Sequence, residues 1–169
     1  AYSGAAVTWQ QEHTDAEINM APGRGVGDAT CRQQVLMEIF QEGISKHFGG
    51  EVLLDLNKCY EHVDRDHLIK WGQQFGYPGA YLRFSIAANG WGRSRRWQGI
   101  YARQVCAQRC ISAGSVAAPI ELVVYLLDGI RKLKEAIPMA VLSVHVDDIY
   151  IARLAKERPV ISCTKNLFW

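Results

Sequence analysis

Apolar positions recur at helical spacing in several stretches of the chain and alternate or run together in others. Val35, Leu36, Ile39, Phe40 and Ile44 fall on one face of a helix with Asp28 as its N-cap and Gly49-Gly50 as its stop. Asp64 caps a second helix that runs to about Phe75, with Leu68, Ile69 and Phe75 as apolar contacts and Gly76 as terminator. Pro78 opens a third, holding Tyr81, Leu82, Phe84 and Ile86 and closed by Asn89-Gly90. A fourth runs from about Val116 to Ala136. Pro119 is tolerated there in the first turn, and Ile120, Val123, Val124, Leu127 and Ile130 face the core. Residues 1–27 show no clear periodicity, and Ala21-Pro-Gly-Arg-Gly-Val-Gly27 reads as a loop.

The strand signals are fewer. Glu51-Val-Leu-Leu-Asp55-Leu56 reads as a short buried strand with an acid near its end, and a carboxylate buried on an apolar strand is costly unless paired or metal-bound. Val141, Leu142, Val144 and Val146 form a second strand and Ile149, Tyr150 and Ile151 a third, with Asp147-Asp148 at the tight turn between them. At most one more strand follows, around Val160 to Cys163. This order predicts an α+β domain, a small antiparallel sheet with helices on one face. Placing the Asp55 strand beside the hairpin would put all three carboxylates on one edge of the sheet. Taken alone, an Asp-Asp pair at a turn is more often a plain solvated turn.

At 169 residues and 49% hydrophobic content the chain suits one domain with a real core. It opens on Ala1 and closes on Asn166-Leu-Phe-Trp169, so a fragment of a longer protein is expected. No basic-then-apolar leader is visible, and the longest apolar run, Val116 to Leu127, is too short to span a bilayer. The five cysteines (Cys31, Cys59, Cys106, Cys110 and Cys163) show no zinc-ribbon spacing and read as reduced, mostly buried thiols of an intracellular, non-secreted protein.

Charge sharpens the picture. From His67 to Ile120 there is no acidic residue, while Lys70, Arg83, Arg93, Arg95, Arg96, Arg103 and Arg109 carry seven positive charges. A net charge of +2 therefore leaves −5 for the rest of the chain. A basic middle between acidic flanks can hold a polyanion near carboxylates. Within it, Trp91 to Arg109 reads as a basic β-ribbon or loop in which Trp91, Trp97 and Tyr101 alternate with arginines. That pattern suits stacking on bases and pairing with phosphates, and the tryptophans alone would equally fit a strand pair with one apolar face.

Four blocks together resemble the polymerase palm of reverse transcriptases of the group II intron, retron and non-LTR retroelement type. Pro22-Gly-Arg-Gly-Val-Gly-Asp28-Ala29 is similar to the family block F-R-P-G-R-S-x-x-D-A. Leu54-Asp55-Leu-Asn-Lys-Cys-Tyr60-Glu-His-Val63 resembles motif A, D-L-x-K-A-F-D-x-V. Ser112-Ala-Gly114-Ser115-Val-Ala-Ala-Pro119 resembles motif B, P-Q-G-S-x-x-S-P, and His145-Val-Asp147-Asp148 resembles motif C, Y-x-D-D. The blocks stand in order over about residues 21–152. The chain departs from the pattern at Ser112-Ala113 in place of Pro-Gln, at His145 in place of tyrosine, and at Glu61 in place of the second motif A acid.

The resemblance implies RNA-directed DNA polymerisation by two-metal nucleotidyl transfer, with Asp55, Asp147 and Asp148 as catalytic metal ligands for two Mg²⁺ ions, Mn²⁺ being a possible substitute. It implies that Tyr60 is a steric gate under the sugar of an incoming dNTP, and that Gly114 and Ser115 let the backbone approach the nucleotide. Arg24, Arg93, Arg95 and Arg96 become contacts to an RNA template or DNA primer. The implied architecture is a single domain fragment: residues 1–50 a fingers-side loop and helix, 51–169 the palm core, with partial fingers and no thumb. Two alternatives remain at this stage: a degenerate module that binds RNA without polymerising, and an unrelated α+β protein whose Asp147-Asp148 is only a turn. No membrane partner is expected.

Overall fold

The elements follow one another as α1 (Gly4–His13), α2 (Val26–Gln41), β1 (Phe48–Asp55), α3 (Cys59–His62), α4 (Arg65–Gln74) and α5 (Gly79–Gly90), then β2 (Arg96–Trp97), β3 (Ile100–Tyr101), α6 (Ala118–Ala136), β4 (Val141–His145) and β5 (Asp148–Ala155). They come from a computed structural model that describes residues 4–20, 23–41 and 48–155. The architecture is α+β with small antiparallel sheets, as the patterning predicts. The chain divides into two compact units. One joins α1 to Lys58–Tyr125, and the other joins Thr14–Asn57 to the chain from Leu126 onward.

The second unit is built on a three-stranded sheet of order β1-β5-β4. Its central strand buries Ile149, Tyr150 and Ala152, and β4 buries Leu142 and Val144. The outer edge of β4 is covered by residues 17–19. Val144 N–H donates to the Glu17 carbonyl at 2.8 Å, and Asn19 N–H returns the bond to the Val144 carbonyl at 2.9 Å. Ile18 between them is fully buried, and the Asn19 side-chain amide donates to Ser143 Oγ at 2.7 Å. Two ion pairs tie α6 to this segment: Arg131 to Asp15 at 3.3 Å and Lys134 to Glu17. Burial raises the Glu17 pKa, and the hydrogen bond from Lys134, a bond to its own backbone and the nearby Lys134 and Arg24 charges outweigh that and leave it lowered.

Several expectations are corrected here. The strand carrying Asp55 is not buried: β1 is an edge strand on which Glu51, Val52, Leu53 and Asp55 are exposed, Leu53 by 63%. An edge strand lacks one neighbour, so an apolar run need not mean burial on both faces. Gly49-Gly50 does not stop α2, because these glycines lie inside β1, opposite Leu154 and Arg153. Asp28 is not the N-cap of α2 but a first-turn acid whose carboxylate accepts from Gly25 N–H at 2.9 Å. The apolar stripe of α2 is largely open, with Val35 and Ile39 exposed and Leu36 half-buried. Ile44 and the strand expected around Val160 to Cys163 lie outside the described residues.

In the first unit Asp64 caps α4 as expected, accepting from the backbone N–H groups of Asp66 and His67. Pro78 stands at the N-cap of α5, and α4 buries Leu68 while α5 buries Leu82. Helix α1 is absent from the patterning because it lacks an apolar stripe. Trp9 anchors it: this buried side chain donates Nε1–H to the Phe75 carbonyl at 2.7 Å and meets Tyr77 edge-on at 5.1 Å. The expected core face of α6 is found, with Ile120, Val123, Val124, Leu127 and Ile130 all buried. The free cysteines are not mostly buried: Cys31 and Cys106 are exposed and Cys59 and Cys110 half-buried, while Cys163 lies outside the described residues. No described helix is long and apolar enough to cross a membrane.

Candidate functional site

The register of the three-stranded sheet decides where the acids stand. Asp55 is the direct cross-strand partner of Asp148, and Asp148 in turn is the partner of His145 on β4. Directly opposed residues share a sheet face with Cα atoms about 4.5–5.5 Å apart. One step beyond, Leu56 N–H donates to the Asp147 carbonyl at 2.9 Å, which fastens the hairpin tip to the end of β1. The backbone therefore brings Asp55, Asp147 and Asp148 to one end of the sheet. Asp55 and Asp148 are exposed and Asp147 half-buried.

Two carboxylates directly opposed across a strand pair repel one another, and no described side chain forms an ion pair with either. An all-oxygen donor set of this kind fits a hard divalent cation such as Mg²⁺. Among the described residues no group of three or more His, Cys, Asp or Glu side chains is disposed to hold a metal, so the convergence is one of backbone positions.

The hairpin turn itself is Val146-Asp147, with Asp148 already in β5. Val146 has φ 57°, in the left-handed region that a β-branched side chain rarely occupies. Its N–H faces the Met20 sulfur at 3.1 Å. Further along the same strands, Tyr150 donates its hydroxyl to Glu51 at 3.0 Å. Burial, that bond and the Glu51 charge push the phenol up to about 12.

The nucleotide-side candidates all belong to the first unit. Tyr60 lies in the short helix α3, half-buried, and its carbonyl accepts from Ile111 N–H at 3.0 Å. Gly114 has φ 85°, a conformation that glycine adopts without strain, and open space where a Cβ would stand. Ser115 shapes the entry to α6: its N–H donates to the Ser112 carbonyl at 2.9 Å, and its hydroxyl accepts from Ala117 N–H at 3.3 Å.

Two of the four candidate arginines hold the fold. Arg93 donates to Ser112 Oγ at 2.9 Å and to Asn89 Oδ1 at 3.5 Å, bracing the segment that leads to Gly114. Arg24 donates to the carbonyls of Asp15 at 2.9 Å and Ile18 at 3.4 Å. It also lines a cleft of about 530 Å³ between α2 and Val141, beside Asp28, Cys31 and Arg32. Arg95 and Arg96 stand exposed on the β2–β3 hairpin.

Other residues emerge only from the structure. Asn89, buried at the end of α5, accepts from Ser112 N–H at 2.9 Å through its side chain, and its carbonyl accepts from Arg65 at 2.8 Å. Arg65 also grips the Cys110 carbonyl at 3.0 Å, so residues 110–112 are clasped from two sides. The Asn89-Gly90 pair reads in sequence only as a helix terminator. Glu121 sits in the first turn of α6 with 1% exposure, and neither carboxylate oxygen meets hydrogen-bond geometry with a described group. Burial raises its pKa, offset in part by the neighbouring Ser85 hydroxyl. Its only sequence signal is an acid interrupting the apolar run from Val116 to Leu127. Compared with known proteins, the chain matches no protein-family model and no curated protein.

Proposed function

We propose that this chain is the catalytic segment of an RNA-directed DNA polymerase of the reverse-transcriptase type, its β1–β5–β4 sheet serving as the palm. The observation that carries the reading is the pairing of Asp55 with Asp148, with Asp147 bonded to the next residue of β1. Positions about ninety residues apart in sequence meet at one strand end, as the four motif-like blocks require. Asp55, Asp147 and Asp148 would hold two Mg²⁺ ions, which supply activation of a primer 3′-hydroxyl and charge neutralisation on the triphosphate. Tyr60 would act as the gate against a 2′-hydroxyl. Gly114 and Ser115 would lie along the nucleotide, Gly114 presenting bare backbone.

A second reading, RNA binding without polymerisation, is favoured by the lack of a ready-made three-ligand metal group among the described side chains. The departures at Ser112-Ala113 and His145 point the same way. Primer extension on an RNA template with a DNA primer and dNTPs, in Mg²⁺ against EDTA, separates the two. The polymerase reading expects Asp147→Asn and Asp55→Asn each to reduce extension by about 10²–10⁴-fold, the scale of several kcal/mol of transition-state stabilisation. Extension unchanged in Asp147→Asn refutes it. No extension by the parent chain, with RNA still bound, favours the second reading.

A further inference from the structure

We propose that the hairpin formed by β2 and β3 is a docking surface for single-stranded RNA, in which Trp97 and Tyr101 stack on unpaired bases and Arg95, Arg96 and Arg103 pair with phosphates. This goes beyond the catalytic reading, because binding here needs none of the three carboxylates.

The hairpin is built to project. Its turn is Gln98-Gly99, with φ 46° and 85°, the two positive values that a two-residue turn matched to strand twist requires. Arg96 pairs with Tyr101 and Trp97 with Ile100, while the bridge below joins Arg93 to Val105. The registers differ by one residue, so a bulge on the second strand bends the ribbon. Below the bend the ribbon is fixed by Arg93 to Ser112 and Asn89.

All residues from 93 to 106 are exposed. Trp97 shows 76% of its surface and Ile100 74%, on the ribbon face opposite Arg96 and Tyr101. The Arg96 guanidinium lies 5.5 Å from the Tyr101 ring centre, which leaves a cation beside an exposed aromatic plane. A pair of large apolar side chains left in water is unusual without a partner.

Charge complementarity identifies that partner. No acid lies between His67 and Ile120, and no described acid forms an ion pair with Arg95, Arg96 or Arg103, so a polyanion fits. Among polyanions, exposed aromatic planes favour one whose bases are unstacked, because bases in a duplex are already stacked on each other. Arg93, held in the fold, takes no part in this binding.

The test is fluorescence anisotropy with a labelled 20-nucleotide single-stranded RNA, a 20-base-pair RNA duplex and anionic phospholipid vesicles as competitors. The parent chain is expected to prefer the single strand. Trp97→Ala is expected to weaken it about 5- to 100-fold, the range for removal of one base–aromatic stack, and Trp97→Phe to restore most of it. Changing Arg95 and Arg96 to alanine is expected to flatten the salt dependence, by about 0.7 in log–log slope for each phosphate no longer neutralised. Addition of EDTA is expected to leave this binding unchanged, so a failed polymerase reading leaves this result intact. Equal affinity for duplex, stronger competition by vesicles, or unchanged binding in Trp97→Ala overturns the proposal. So does a Trp97→Ala variant whose only change is dissociation of a self-associated parent, which would make the ribbon an interface between copies.

Discussion

Replacing Glu121 by leucine is expected to stabilise the protein, although it removes a charged residue from a helix N-terminus where acids are usually welcome. The reason is its surroundings: 1% exposure, two oxygens without hydrogen-bond geometry, and a single neighbouring hydroxyl, that of Ser85, which accepts from Asn89 at 3.3 Å. A buried polar group left unsatisfied costs about 1–3 kcal/mol. Leucine fills a similar volume with apolar atoms, and Ser85 keeps its Asn89 bond. A gain of about 1–3 kcal/mol follows at neutral pH, or roughly 2–12 °C in Tm for a chain of this size. The pH dependence carries the sharper test. A carboxyl with its folded pKa raised above 4.5 binds more protons folded than unfolded, so the parent loses stability as pH rises from 4.5 through the raised value. Glu121→Leu and Glu121→Gln both remove that slope. Urea melts of the three proteins at pH 4.5, 6 and 8 should diverge toward higher pH. A Glu121→Leu protein less stable than the parent, by the same amount at every pH, refutes the argument and implies an ionised, paired carboxylate.

Two further outcomes are expected. Val146→Gly relieves about 1–2 kcal/mol of left-handed backbone strain against about 0.5–1 kcal/mol of added chain entropy, so urea melts should show a neutral or more stable protein; a decrease contradicts the turn geometry. Asp64→Ala should lower Tm at pH 7 and lower it progressively less as pH is taken below 3.8. Backbone bonding from His67 above all, helped by Asp66 N–H and the His67 and Arg109 charges and opposed by burial, holds that carboxyl below 3.8. Its contribution is present above 3.8 and fades as pH falls through the depressed value; a drop in Tm that stays the same down to the lowest pH at which the parent folds counts against it.

Local chemistry made much of the fold legible. The Asp64 cap, the Pro78 start and the α6 core face are short-range signals, and each lies where the residues predict. The pairing of Asp55 with Asp148 was legible for another reason: Asp55 ends one apolar strand and Asp148 begins another, and antiparallel strands have few ways to pair. Burial was not legible. The run Val52-Leu53-Leu54 has the same composition at an edge as in a centre, and only the strand order separates the two. Trp9 shows the converse, since its buried indole anchors a helix whose sequence carries no periodicity. The charge of Arg93 and Arg24 is visible in sequence, whereas the protein oxygens they bond are supplied by tertiary structure.

The eight-residue alignment of β1 with β5 also sets a constraint on variation. Side chains alternate along a strand, so inserting or deleting one residue between Glu51 and Leu54 would rotate Asp55 onto the reverse side of the sheet with both aspartates still encoded. On the polymerase proposal, single-residue length changes in this short stretch are therefore expected to reduce primer extension as much as losing the carboxylate does.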